Sequence, residues 1–129
     1  MGRTYRDLVL WQKAMQFVTD LYRVTREFPR EELYGLTSQM RRAAISIPSN
    51  IAEGQARYSQ KEFRQFLSHA RGSLVEVETQ LGIAINLGYL TPSRGLALTK
   101  QRDEIGRLLN GLANSLPLRT ENRELRTSS

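Results

Sequence analysis

The sequence predicts an all-α protein, an antiparallel up-down-up-down four-helix bundle with a kinked second helix. Three observations support this prediction: apolar residues recur at helical spacing in four long segments, short breaks separate the segments, and no run alternates as a strand would. The chain has 129 residues, of which 40% are hydrophobic and 25% are charged, as expected for one domain. We place the bundle in residues 1–116 and a polar, disordered tail in residues 117–129.

The first helix is predicted from about Asp7 to Glu27, because apolar residues recur there at about 100° per residue. Pro29 ends this helix, since proline disfavours helical geometry at the residue before it. A connection follows and extends to about Gly35.

The second helix is predicted from about Leu36 to Ala56, with Pro48 inside it. Proline at this position deletes the hydrogen bond to the Ala44 carbonyl and places its ring against that turn, so we expect a kink. Besides water, the groups expected to bind the freed backbone atoms are the side chains of Ser46, Ser49 and Asn50.

The third and fourth helices begin at recognisable caps. Ser59 and Glu62 match the capping box S-x-x-E, and a regular apolar stripe continues from there to near Gly88. Thr91-Pro92 is typical of an N-cap followed by the first helical residue. The fourth helix ends before Pro117.

The charge balance favours a polyanionic partner. Nineteen basic and thirteen acidic residues give a net charge of +6, and sixteen of the cations are arginine, the better phosphate ligand. RNA or DNA is therefore a candidate partner, although many cytoplasmic proteins are mildly basic.

Other classes of protein are disfavoured by what the sequence lacks. With no cysteine, thiol catalysis, disulfides and thiolate metal sites are excluded, and a cytoplasmic location is expected. The longest uncharged stretch, Thr79 to Ser93, is too short and too polar to cross a membrane. The single histidine, His69, and the lack of any catalytic motif predict a protein that is not an enzyme and has no cofactor or metal.

A second uncharged stripe on the third helix indicates self-association. Its members follow spacings of three and four residues on a face about 140° from the core stripe. A four-helix bundle needs one buried face per helix, so this face favours contact with another protomer, the alternative being tolerated surface residues. The stripe comprises Gly72, Val75, Thr79, Gly82 and Asn86, with Ile83 alongside, and the second helix adds Ile45, Pro48 and Ala52.

The string MRRAAISIPSNIAEGQAR at residues 40–57 carries a family resemblance, together with DLVLWQKAM, FPREELYGLT and LGYL. From about Tyr5 to Leu116 the chain resembles the four-helix-bundle family encoded by intervening sequences of bacterial 23S rRNA genes, sometimes labelled ribosomal S23 proteins. The resemblance implies a ring-like homopentamer. A related family, the accessory variability determinant of diversity-generating retroelements, associates with a reverse transcriptase and nucleic acid, so a reverse transcriptase is a partner by analogy only.

Two groups of residues are candidates for binding nucleic acid. Arg41 and Arg42 are expected on the exposed arc of the second helix, where they either bridge protomers or receive phosphate. Cations also gather where the second helix turns into the third, with an aromatic ring among them for stacking, unless this is only a solvated helix turn. The second group comprises Arg57, Tyr58, Lys61 and Arg64.

The leading functional hypothesis is a non-enzymatic homo-oligomer that associates with RNA or DNA as an accessory factor. The alternative is a protein–protein assembly or adaptor scaffold without a nucleic-acid role, in which the basic residues serve solubility.

Overall fold

The computed structural model describes residues 4–5 and 8–116, and this part of the chain contains four α-helices and no strand. Helix α1 spans Val9–Thr25, α2 Leu36–Gln55, α3 Gln60–Asn86 and α4 Pro92–Ser115. Each helix packs against two neighbours, in the circular order α1, α2, α3, α4. The predicted four-helix bundle is thus confirmed, while the predicted tail at 117–129 lies outside the described residues. None of the four helices has the length and apolar character that a membrane span requires.

The core lies where the apolar faces of the four helices meet. The predicted stripes supply it, and burying one such side chain stabilises the fold by about 1.5–3 kcal/mol. The largest fully buried side chains are Phe17, Leu21, Met40, Ile47, Ile51, Leu67, Val77, Ile105 and Leu109.

Helices α2 and α3 pack tightly against each other at Gly54. A Cβ atom at Gly54 would lie 2.8 Å from Phe63 Cδ1 and 2.8 Å from Phe66 Cβ, too close for any real contact. Further along the pair, the hydroxyls of Ser46 and Ser73 share a hydrogen bond. Gly54 therefore serves the contact between the two helices.

Helix α2 continues through the buried Pro48. Ser46 Oγ donates to the Ala43 carbonyl at 2.8 Å, and Asn50 Nδ2 donates to the Ser46 carbonyl at 2.7 Å. Neither bond reaches the carbonyl of Ala44, the one that Pro48 leaves without its usual donor. Ser46 and Asn50 thus bind neighbouring carbonyls of the same helix, while the bend and a partner for the Ala44 carbonyl stay predictions.

We call the end of the bundle that holds the α1–α2 and α3–α4 connections the Pro29 end. A short 3₁₀-helix at Arg30–Glu32, which the sequence did not predict, forms part of it. The Glu32 carboxylate accepts from the Leu36 backbone N–H at 3.2 Å and from the Tyr89 hydroxyl at 2.8 Å. One side chain thus caps α2 and fastens the two connections together.

Local signals end α3 and begin α4 as predicted. Gly88 has a φ of 76°, in the left-handed region that favours glycine. Its N–H donates to the Ile85 carbonyl at 3.0 Å, and the Tyr89 N–H donates to the Ala84 carbonyl at 2.9 Å, which together form a Schellman motif.

The two predicted N-caps are also present. Ser59 Oγ accepts from the Glu62 N–H at 3.0 Å, and Thr91 Oγ1 accepts from the Arg94 N–H at 3.3 Å.

Candidate functional site

The second group of candidate nucleic-acid residues lies at the opposite end of the bundle, which we call the Tyr58 end. It comprises the end of α2, the turn at 56–59, the start of α3 and the end of α4. The turn is exposed, and the Tyr58 ring is fully so. The Arg57 guanidinium lies over the Phe66 ring, 4.6 Å from its centroid, and is held there by a cation–π contact.

Lys61 and Arg64 differ in their surroundings. Lys61 is exposed and has no ion pair among the described residues. Arg64 is half-buried, and its guanidinium donates to the Ala113 carbonyl near the end of α4. The predicted cluster therefore consists of two exposed cations and an exposed tyrosine, with Arg64 beside them as a tie between α3 and α4.

Arginines that the sequence analysis did not single out extend the basic surface into the groove between α3 and α4. Arg71 lies two turns after Arg64 and donates to Asn110 Oδ1 across the groove. Arg107 also lines the groove and has no ion pair in the described part of the chain. Arg64 and Arg71 are seven residues apart, so both lie on one face of α3. This spacing was the sequence signal that could have identified Arg71 as part of the basic surface.

Arg102, the fourth arginine of this groove, has a structural role. It donates to the Leu74 carbonyl at 2.9 Å and pairs with Glu78 and Asp103, both at 2.7 Å. Its charge is therefore balanced within the protomer.

Arg41 and Arg42 do not form one site. The Arg41 guanidinium packs over the Tyr22 ring, 4.3 Å from its centroid, and Arg41 Nε donates to Thr25 Oγ1 at 3.0 Å. Arg41 is half-buried, so the expectation that it lies on the exposed arc is wrong: the α1–α2 contact encloses it. Arg42 is exposed as expected.

The second stripe of α3 faces solvent along its whole length. Val75 is 55% exposed and Ile83 43% exposed, large values for apolar side chains. A Cβ atom at Gly72 or at Gly82 would meet nothing within 4 Å, so packing within the chain does not require glycine there. Thr79 and Asn86 complete the exposed stripe.

The predicted α2 residues line a different surface, a groove of about 340 Å³ between α1 and α2. Ile45 is 41% exposed and faces Met15 of α1, which is 42% exposed. Ala52 and the buried Pro48 belong to the same groove, and Trp11 closes one side. The two predicted interface groups thus form two separate apolar surfaces.

Among the described residues, no group of three or more His, Cys, Asp or Glu side chains is arranged to hold a metal ion. His69 is exposed, and its ring contacts the edge of the Phe66 ring at 6.1 Å between centroids.

Comparison with known proteins places this architecture in a family. The family model described as 23S rRNA-intervening sequence protein matches residues 6–111. The chain belongs to this family. A solved structure of a protein of unknown function from the S23 ribosomal protein family of Bacteroides thetaiotaomicron superposes with a TM-score of 0.74. The two are 24% identical, and the match covers 83% of this chain and all of the other, which shows a shared fold. No curated protein matches the sequence.

The part of the chain that matches the family model includes the whole stretch from Arg41 to Arg57. The structure gives several of its residues a packing role: Ala43 and Ala44 are buried, Gly54 admits Phe63, and Arg41 packs on Tyr22. The family string is thus explained largely by the contacts of α2 with α1 and α3.

Proposed function

We propose that this intervening-sequence protein is a non-enzymatic homo-oligomer that binds RNA or DNA as an accessory factor. The observation that carries the proposal is the grouping at the Tyr58 end, where two exposed cations, Arg57 and Lys61, flank a fully exposed aromatic ring. Cations attract the phosphate backbone, and an exposed ring offers a stacking surface for an unpaired base.

The groove between α3 and α4 supports a longer path for the backbone. Arg64 and Arg71 line adjoining parts of this groove, and Arg107 lies beyond them. The guanidinium groups of Arg64 and Arg71 each use one donor for a contact within the protomer. Since guanidinium has five N–H donors, both keep donors for phosphate oxygens.

Assembly would multiply this weak attraction. Five protomers of charge +6 give 5 × 6, or about +30, and several linked sites bind one polymer far more tightly than a single site does. The α3 stripe and the α1–α2 groove are different surfaces, so a contact between them would be heterologous, the kind that closes into rings. The open space at Gly72 and Gly82 supports the α3 stripe as one half of this contact.

Filter binding over a series of salt concentrations tests the nucleic-acid hypothesis. Purified protein is titrated against a generic single-stranded RNA and a duplex DNA of equal length. We expect micromolar or tighter binding with a steep negative salt dependence, because binding releases counterions. If neither the RNA nor the DNA binds at low salt, the proposal is refuted.

A pair of matched double variants tests the location. Changing Arg57→Gln with Lys61→Gln should flatten the salt slope by roughly 0.7–0.9 for each phosphate that the variant no longer neutralises. The control changes Arg23→Gln with Lys100→Gln, which removes the same charge from exposed positions outside both candidate groups. Equal reductions of the slope in both variants would show that binding follows net charge and that the Tyr58 end is not a site.

The α1–α2 groove favours a second candidate function, a protein–protein adaptor. Its exposed Met15 and Ile45 offer apolar area to a partner protein and no ligand for phosphate. An adaptor would show no affinity for RNA or DNA at low salt, so the same titration separates the two functions.

A further inference from the structure

A cavity of about 260 Å³ opens at the Pro29 end, between the last turn of α1, the 3₁₀-helix and the first turns of α2. Three arginines from three different segments line it: Arg26 follows α1, Arg30 begins the 3₁₀-helix and Arg41 belongs to α2. The remaining wall residues are Thr25, Phe28, Pro29, Leu33 and Thr37. No acidic residue is among the eight that line the cavity.

Arg41 is a fixed cation in this cavity. Besides the Thr25 contact, its Nη2 donates to the Tyr22 carbonyl at 3.4 Å, while the Tyr22 ring supports the guanidinium plane. Thr25 is itself fixed, because its hydroxyl donates to the Leu21 carbonyl at 2.9 Å. Two of the five N–H donors of Arg41 are thereby used, which leaves donors without a partner among the described residues.

Thr37 adds a polar group that nothing in the described chain satisfies. Its side chain is only 3% exposed, and its Oγ1 has no hydrogen-bond partner there. A buried hydroxyl without a partner is unfavourable by about 1–3 kcal/mol. Thr37 lies one turn before Arg41 on the same face of α2, and both residues line the cavity.

The acidic residues near this end are engaged elsewhere or outside the cavity. Glu27 pairs with Arg94, and Glu32 binds Tyr89 and the Leu36 N–H. Arg26 and Arg30 are exposed and have no ion pair in the described part of the chain. Glu31 is exposed and does not line the cavity, so no carboxylate among the lining residues balances the positive charge there.

We propose that this cavity binds a phosphoryl group carried by a small ester. Three guanidinium groups on three segments suit the three charged oxygens of a phosphoryl group better than the two oxygens of a carboxylate. The Thr37 hydroxyl supplies a further donor. Leu33, which is 47% exposed, gives the organic part of the ester an apolar contact at the rim.

The phosphoryl group has two possible sources, a free nucleoside monophosphate or the terminal phosphate of a nucleic-acid strand. The cavity lies at the end of the bundle opposite Tyr58, separated by α2 with its 20 residues, about 30 Å at 1.5 Å per residue. It does not depend on the function proposed above, and the variants that test each site leave the other unchanged.

Isothermal titration of the full chain at constant ionic strength tests the site. The probes are AMP, inorganic phosphate, adenosine and acetate. We expect AMP to bind, inorganic phosphate to compete with it, and adenosine and acetate to do neither. Lack of AMP binding, or competition by acetate as strong as that by phosphate, would overturn the proposal.

Two variants locate the binding. Thr37→Val removes the hydroxyl at nearly constant volume and should weaken AMP binding about tenfold, the effect of removing one hydrogen bond to a charged group. Its thermal midpoint should be unchanged or higher, since an orphan hydroxyl is removed. Arg26→Gln with Arg30→Gln should weaken AMP binding by a larger factor, while the double variant Lys13→Gln with Lys100→Gln, whose residues do not line the cavity, should leave it unchanged. Wild-type affinity in the Thr37→Val and Arg26→Gln/Arg30→Gln variants would refute the site.

A final comparison shows whether the bound phosphoryl group belongs to a free ester or to the end of a nucleic-acid strand. RNA of one sequence is titrated with a 5′-phosphate and with a 5′-hydroxyl. Tighter binding of the phosphorylated strand, abolished in Thr37→Val, assigns the cavity to strand ends. Equal binding of the two strands, with AMP binding intact, assigns it to free esters.

Discussion

Arg41 and Arg42 stand next to each other in the chain and meet different surroundings. Arg41 contacts the Tyr22 ring and the Thr25 hydroxyl, while Arg42 faces solvent. Arg41→Gln should lower the free energy of unfolding by about 1–3 kcal/mol, because it removes both a cation–π interaction and a charged hydrogen bond. Arg42→Gln should change it by less than about 0.5 kcal/mol. Urea denaturation of both variants measures the difference, and equal values would contradict the assigned role of Arg41.

Tyr89 provides a second prediction for a single residue. The hydrogen bond to Glu32 is the main reason that the pKa of Tyr89 is raised, with desolvation and the charges of Glu32 and Glu31 adding to it. A raised pKa in the folded state means that the phenol stabilises the fold below its ordinary pKa of about 10, and that this stability is lost as the pH rises through the folded-state pKa. Thermal midpoints between about pH 8 and 11 should therefore fall more steeply for the wild type than for Tyr89→Phe. If the thermal midpoints of the two proteins fall in parallel with pH, the Tyr89–Glu32 hydrogen bond does not contribute to the pH dependence of stability.

The individual residues also show why sequence analysis found only part of the candidate site. The exposure of Tyr58 and Lys61 follows from their place beside a cap, which is a local signal. The partner of Arg64 lies 49 residues away on α4, and helix periodicity does not define how α3 and α4 align along their lengths. Whether the Thr37 hydroxyl finds a hydrogen-bond partner depends likewise on how α1 packs against α2, which the sequence does not define.

Within the helices, Gly54 and Gly106 differ in whether an added methyl group has room. Gly54→Ala should lower the free energy of unfolding by about 1–3 kcal/mol, because the new methyl group would overlap the Phe63 and Phe66 side chains. Gly106→Ala is the matched control: nothing lies within 4 Å of a Cβ atom there, so helix propensity should raise stability by about 0.5–1 kcal/mol. Chemical denaturation of both variants tests the pair, and a stable Gly54→Ala protein would show that α2 and α3 have room to separate.

The number, order and ends of the helices were predictable because their signals are local. Ser59, Thr91 and Gly88 each define a boundary through bonds within a few residues. The 3₁₀-helix at Arg30–Glu32 was missed because it is a single turn, closed by the Leu33 N–H on the Arg30 carbonyl at 3.0 Å, and one turn is too short to show apolar periodicity. The sequence named Ser46 and Asn50 as donors near Pro48 but could not predict which carbonyl each would bind, because several lie within reach.

For the whole molecule, the central prediction concerns assembly. Val75→Glu places a charge in the middle of the α3 stripe and should dissociate the proposed homo-oligomer without changing helicity, because an interface tolerates an unpaired buried charge poorly. Leu96→Glu is the control, since Leu96 is equally exposed at 55% and lies on α4 outside the stripe. Light scattering and circular dichroism distinguish the outcomes. An unchanged mass for Val75→Glu would remove the stripe from the interface and leave the α1–α2 groove as the alternative.

An even number of antiparallel helices brings the start of α1 and the end of α4 to the same end of the bundle, beside Tyr58. The bond from Arg64 to the Ala113 carbonyl shows how near the end of α4 lies to this cluster. A fluorophore attached at the start of α1 or at the end of α4 would therefore compete for the surface under test, and a charged label there would alter its electrostatics. A label at the Gly88 connection, on the far side of the molecule, would report binding while leaving the cations at the Tyr58 end unobstructed.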